Sequence, residues 1–302
     1  MKKYLLKIAL FFGIVAAVDF GIGFACRWLE SHAKGGMTRR INEISFVQKA
    51  DVVIMGSSRA HHHYVSSILA DSLGVNVYNA GVDGNGIVLA KGLYEMMAKR
   101  YAPKVILYDV EPAFDINVYA EDGNNTRYIG LLRPYCKDAQ VKQIITRVDA
   151  SEKYKDLPAM FRYNSKIIDL FKDFATLGDY TIDGFAPMYG EMKVEPEKRM
   201  EAEKSEIDTL KLSILEEFVA ELSKSDTRLI MMASPKYGAI SSEVFEPVKT
   251  ICNNYGVEFW VFYCVPEFQR LDYFKEPMHL NETGARAFTN YLATRLQKEL
   301  AY

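Results

Sequence analysis

Two short blocks, far apart in the chain, hold residue types suited to acyl chemistry. Gly56-Ser57-Ser58-Arg59 closes an apolar run, and Glu276-Pro277-Met278-His279-Leu280-Asn281 precedes the last helical stretch. A serine at a strand-to-helix turn has its hydroxyl near the helix N-terminus, where unused N–H groups stabilise a developing oxyanion. A histidine with a carboxylate three residues earlier suits a turn in which the carboxylate accepts the Nδ1 proton. That leaves Nε2 as a general base. Ser58, His279 and Glu276 are therefore the candidate nucleophile, base and orienting acid. Ser57 is the rival nucleophile and Asp272 the alternative carboxylate. The plainer readings are a serine cap on a helix start and a polar histidine beside a helix cap.

Other residues carry weaker chemical signals. His61-His62-His63 invites a metal site, but consecutive helical residues diverge by about 100° and share one ion poorly. No metal or organic cofactor is expected; one of the three, His61, should line the pocket entrance, with the others exposed. Gly81, Gly84 and Gly86 resemble part of a dinucleotide fingerprint, yet Leu89 stands where its third glycine belongs. Arg127, Tyr128, Arg133 and Tyr135 form an aromatic-basic cluster that suits either a sugar polymer or a solvated loop. Cys26, Cys136, Cys252 and Cys264 lack any CxxC spacing, which argues against a zinc knuckle or disulfide scaffold. Cys252 and Cys264 read most simply as core residues, with a disulfide between them left open.

The blocks need elements to position them. Asp51–Met55, Val75–Ala80, Lys104–Asp109, Arg228–Ala233 and Glu258–Cys264 are short apolar runs typical of parallel strands buried on both faces. Between them lie helical patterns at Tyr64–Leu73, Ile87–Arg100, Ile207–Ser223 and Glu243–Tyr255, and Glu282–Leu300 ends the series behind an Asn281 cap. This alternation predicts an α/β fold: three layers (α/β/α) around a five-stranded, mostly parallel, flavodoxin-like sheet. The stretch from about 112 to 203 breaks the rhythm, with weak helical pieces such as Ser165–Phe174, and reads as a helical insertion or lid. Ligands of such sheets sit at the carboxyl ends of the strands. Arg59, His61, Asp109 and Tyr237 fall there and are candidate substrate-binding residues.

Residues 1–30 stand apart. Lys2, Lys3 and Lys7 precede an apolar run from Ile8 to Cys26 interrupted only by Asp19. About 20 apolar residues cross a bilayer as a helix; Asp19 would cost about 2.5–3.5 kcal/mol at its centre. Gly23-Phe24-Ala25-Cys26 makes a poor lipoprotein site, so an uncleaved anchor is expected, followed by a linker over 31–49 and one domain over 50–302. Positive charges flank both ends of the run, so they do not orient it. The layout of basic start, apolar core and long trailing body resembles an export signal, placing the body outside the cytoplasm. With 37 Lys+Arg against 39 Asp+Glu, the chain lacks the cationic excess of a nucleic-acid-binding surface.

Taken together, the blocks resemble the SGNH (GDSL-type) hydrolases, in particular a membrane-anchored branch with a GSSR block in place of GDS. The resemblance spans residues 50–111 and 225–300. It implies that Ser58 is the nucleophile, that Gly81 in YNAGVDGNG supplies an oxyanion-hole N–H, and that His279 in EPMHLN is the base. The family's Asp three residues before the base is Glu276 here. Its Gly-x-Asn-Asp block has no counterpart in YDVEPAFD, leaving Asn85 and the Ser58 backbone as candidates for the remaining oxyanion donor. The implied function is a serine esterase or O-acyltransferase acting on acyl, above all acetyl, esters of cell-envelope carbohydrate, held by its N-terminal helix with a periplasmic body. The alternative is a catalytically inactive SGNH-like module that binds glycan or protein in envelope assembly.

Overall fold

The computed structural model describes residues 1–118, 125–155, 158–164, 166–176, 181–195 and 206–300. In chain order, α1 (Lys2–Ser31) and α2 (Gly36–Asn42) lead into a π-helical turn at Glu43–Val47. β1 (Val52–Gly56), α3 (Ser58–His63), α4 (Ser66–Leu73), β2 (Val77–Asn79), α5 (Ile87–Ala98) and β3 (Val105–Asp109) follow. Next come α6 (Pro112–Asp115), α7 (Thr126–Ile129), α8 (Ala139–Val148), α9 (Glu152–Lys155) and α10 (Ile167–Ala175). The chain ends with α11 (Thr209–Leu222), β4 (Arg228–Ala233), α12 (Glu246–Tyr255), β5 (Glu258–Val261), β6 (Phe274–Glu276), β7 (His279–Leu280) and α13 (Glu282–Leu300).

Two compact units result. The larger, residues 44–124 and 180–302, holds a five-stranded sheet of order β2-β1-β3-β4-β5 with every pair parallel. This is the expected α/β architecture. Every residue of β1 and β3 is buried, which is why both read as unbroken apolar runs. β1 leads to β2 on one side and the chain then returns to β3 on the other, so the switch point lies between β1 and β3, where Gly56 and Asp109 stand opposite each other. Asn281 caps α13 through a hydrogen bond accepted from Gly284 N–H at 2.9 Å.

The smaller unit combines residues 1–43 with 125–179. Residues 31–49, expected as a linker, are thus helical over Gly36–Asn42 and Glu43–Val47. α1 is long and apolar enough to cross a membrane. Its Gly23, Cys26, Leu29 and Glu30 are buried against the insertion, where an added Cβ on Gly23 would stand 2.5 Å from that of Ala159. Asp19 does not sit bare on the helix: its carboxylate accepts the N–H groups of Ala159 and Met160 at 2.7 and 2.9 Å, capping the 3-10 turn Ala159–Tyr163. α10 runs from Ile167; Ser165, at the start of the expected helix, lies outside the described residues, as do residues 196–203 of the insertion.

Candidate functional site

The switch point is built by a tight exit from β1. Gly56 has φ +138°, and a Cβ there would meet the Asp109 carbonyl oxygen at 2.5 Å, so this turn demands glycine. Ser57 is fully buried and accepts the Arg59 N–H at 3.4 Å as the cap of α3. It is a structural serine, and its neighbour is the reachable one. Ser58 is the first helical residue, with a half-buried side chain and a backbone N–H that the helix itself cannot use.

The second block folds as an antiparallel hairpin. β6 and β7 pair Glu276 with His279 across the Pro277-Met278 turn. The Glu276 carboxylate accepts the Met278 N–H at 2.9 Å and contacts His279 Nδ1. Burial by itself raises the Glu276 carboxyl, but the hydrogen bonds from His279 and Met278 outweigh it and hold the group below its ordinary value. His279 Nε2 lies 2.7 Å from Ser58 Oγ, within the 2.6–3.2 Å of a direct hydrogen bond. Ser58, His279 and Glu276 thus form one continuous relay. Asp272, the alternative carboxylate, pairs instead with Arg270 at 2.6 Å.

Several expected site residues hold other positions. Arg59 and Asp109 are 1% and 0% exposed, so neither can touch a ligand. Arg59 pairs with Glu111 at 2.9 Å and donates to Ser234 Oγ at 3.1 Å, while Asp109 accepts the Ser234 N–H and hydroxyl at 2.8 and 2.7 Å. Burial opposes the Arg59 charge, yet Asp109 and Glu111 overcome it and raise its pKa further. Burial likewise lifts the Asp109 carboxyl above its usual range despite Arg59. The pair is a buried footing, with Ser234 as its hub.

The three histidines are all buried, so His62 and His63 are not exposed as expected. His63 is the one with a clear mechanical task. Its Nε2 accepts the Leu280 N–H at 3.0 Å, so Nδ1 carries the proton and donates to Ser234 Oγ at 2.8 Å. It therefore ties α3, which carries Ser58, to β7, which carries His279. Its burial, followed by the nearby Arg59 charge, depresses its pKa well below the ordinary 6.5. Sequence patterning missed this role, because nothing local in a His triplet says which ring turns inward. His61 Nδ1 contacts Asp83 Oδ1 at 2.7 Å, and His62 Nδ1 contacts the Ala186 carbonyl at 2.7 Å.

The oxyanion donors also need revision. The Gly81 N–H donates to Asn79 Oδ1 at 3.0 Å, so it points into its own turn. A Cβ at Gly81 would lie 2.4 Å from His61 N, which gives this glycine a packing reason: it lets β2's exit pass against α3. The Asn85 side chain donates to the Asp83 carbonyl at 2.8 Å within the same loop. Asn79 is the residue overlooked: its amide donates to the Ala60 and Tyr64 carbonyls at 2.7 and 3.1 Å and pins α3. Of the three candidate donors, the Ser58 N–H stands at the start of α3, outside the helix's own hydrogen bonds.

Tyr237 N–H donates to the Pro277 carbonyl at 3.0 Å, in the turn that precedes His279, and its hydroxyl to Glu195 at 3.1 Å. Part of the insertion straps this region: Ala186 N–H donates to the His61 carbonyl at 3.2 Å and Met192 N–H to the Phe274 carbonyl at 2.8 Å. In the smaller unit, Arg133 forms a two-point ion pair with Glu152 at 2.9 Å, and the Tyr135 hydroxyl donates to Asn42 at 2.9 Å. Those members of the aromatic-basic cluster serve internal packing. All four cysteines are free thiols, so Cys252 and Cys264 form no disulfide.

No protein-family model and no curated protein sequence matches the chain. Among solved structures, the chain is similar to a gut microbial diltiazem-metabolizing enzyme, at 13% identity and a TM-score of 0.40. The match covers 82% of this chain and 46% of that one, so the chain spans about half the length of the structure it matches.

Proposed function

We propose that the protein is a serine ester hydrolase or O-acyltransferase of the SGNH type, acting on acetyl or related acyl esters of cell-envelope carbohydrate. The carrying observation is the 2.7 Å approach of Ser58 Oγ to His279 Nε2, with Nδ1 held by Glu276. In this reading the Ser58 oxygen attacks the ester carbonyl carbon while His279 Nε2 removes its proton. Glu276 fixes the imidazole tautomer and stabilises the imidazolium that forms. The Ser58 N–H supports the tetrahedral oxyanion; one such donor contributes about 2.7–4 kcal/mol. His279 then returns the proton to the departing alcohol oxygen as the C–O bond breaks, leaving an acyl-Ser58. Water or an acceptor hydroxyl, deprotonated by the same histidine, releases the acyl group. The apolar α1 serves as the membrane anchor, with the larger unit outside the cytoplasm.

The bond from Gly81 N–H to Asn79 favours a second reading, an SGNH-like module that binds glycan or protein without turnover. Full-length protein in detergent separates the two. The first reading expects p-nitrophenyl acetate hydrolysis that Ser58→Ala and His279→Gln abolish. Equal rates for wild type and Ser58→Ala would leave the binding module standing.

A further inference from the structure

We infer that His61, His62 and Asp83 form a divalent-cation site of the zinc type beside the candidate active site. α3 sets the two imidazoles side by side, with ring centroids 4.4 Å apart and planes 28° from parallel. The 100° divergence of neighbouring helical positions is overcome because the rings present different nitrogens. His61 Nδ1 and His62 Nε2 lie 2.7 and 3.4 Å from the same oxygen, Asp83 Oδ1. The three ligand atoms all fall within 4.8 Å of one another.

Zinc–nitrogen and zinc–oxygen bonds of about 2.0–2.1 Å in a tetrahedron put neighbouring ligand atoms about 3.3 Å apart. The His62–Asp83 separation of 3.4 Å already has that value. The His61–Asp83 contact must open by about 0.6 Å to reach it, and the Asp83 side chain, 49% exposed, has room to turn. Two imidazoles and one carboxylate are a borderline-soft donor set that suits zinc over magnesium or calcium.

An independent observation concerns His62. Its Nδ1 faces the Ala186 carbonyl at 2.7 Å, and a carbonyl can only accept. Nδ1 therefore carries a proton, and Nε2 is the ring atom turned toward the Asp83 carboxylate. Donation of the non-ligating N–H to a backbone carbonyl is also how metal-bound histidines are oriented. Three protein ligands with a solvent-facing carboxylate leave a fourth position open. The His62 ring stands edge-on to His279 at 5.7 Å, so the ion would border the general base.

The test is ion binding, which does not depend on the esterase reading. Full-length Ser58→Ala protein in detergent is stripped with a chelator, then titrated with Co²⁺ and with Zn²⁺. The expected result is one equivalent per chain, with visible Co²⁺ ligand-field bands. Asp83→Asn and His62→Ala should each weaken binding by at least about 100-fold, while His279→Gln should retain it; circular dichroism checks that each variant is folded. Absence of stoichiometric binding would overturn the proposal. So would binding that His279→Gln removes and Asp83→Asn keeps.

Discussion

His63 offers a quantitative check on how the two halves of the site are held. The ring is 0% exposed and neutral, accepting from Leu280 and donating to Ser234. Burial and then Arg59 push its pKa well below 6.5. Below pH 6.5 the unfolded chain binds a proton on this residue that the native chain refuses. Stability from His63 is therefore complete above about pH 6.5 and declines as pH falls, by about 1.4 kcal/mol per pH unit. Moving from pH 7.5 to 5.5 traverses one such unit. At about 2–4 °C per kcal/mol for a unit of this size, the melting temperature should fall by about 3–6 °C from this residue. The assay is thermal unfolding of the full chain in detergent, wild type against His63→Gln, whose amide oxygen can still accept from Leu280. The difference between the two curves cancels the other histidines. Parallel pH profiles would refute the reasoning, since they would mean that His63 does not stay neutral in the fold.

Three further outcomes follow from particular contacts. Gly81→Ala should destabilise the larger unit by about 1–3 kcal/mol, because the new Cβ would lie 2.4 Å from His61 N; an unchanged melting temperature would contradict this. Asp19→Ala frees the amides of Ala159 and Met160 and should weaken that contact by about 0.5–2 kcal/mol. Hydrogen exchange at the two amides should quicken by about 2- to 30-fold, with Asp19→Asn close to wild type. Glu276→Gln should lower kcat toward p-nitrophenyl acetate by about 10⁴-fold through the wrong imidazole tautomer, and an undiminished rate would remove Glu276 from the relay.

Much of the sheet was legible in the sequence for a simple reason. A parallel strand covered on both faces must be apolar at every position, as Val52–Met55 and Val105–Tyr108 are. Arg228–Ala233 and Glu282–Leu300 were readable to the residue. The short α3 was not, because six residues bearing three histidines show no helical apolar period. The β6–β7 hairpin escaped too, since strands of three and two residues leave no alternation to detect. Ser58, His279 and Glu276 were visible through local spacing. The buried roles of Arg59, Asp109, Ser234 and His63 were not, because each is set by a partner more than 50 positions away. For the same reason Asp19 looked like a charge in an apolar helix until Ala159 and Met160 supplied its partners.

The central claim is that Ser58 is an activated nucleophile. Treating the full-length protein with a serine-directed fluorophosphonate and mapping the adduct by mass spectrometry tests it most directly. The account predicts a single adduct on Ser58, absent in Ser58→Ala and strongly slowed in His279→Gln. An unlabelled protein, or an adduct on Ser57 or elsewhere, would contradict it.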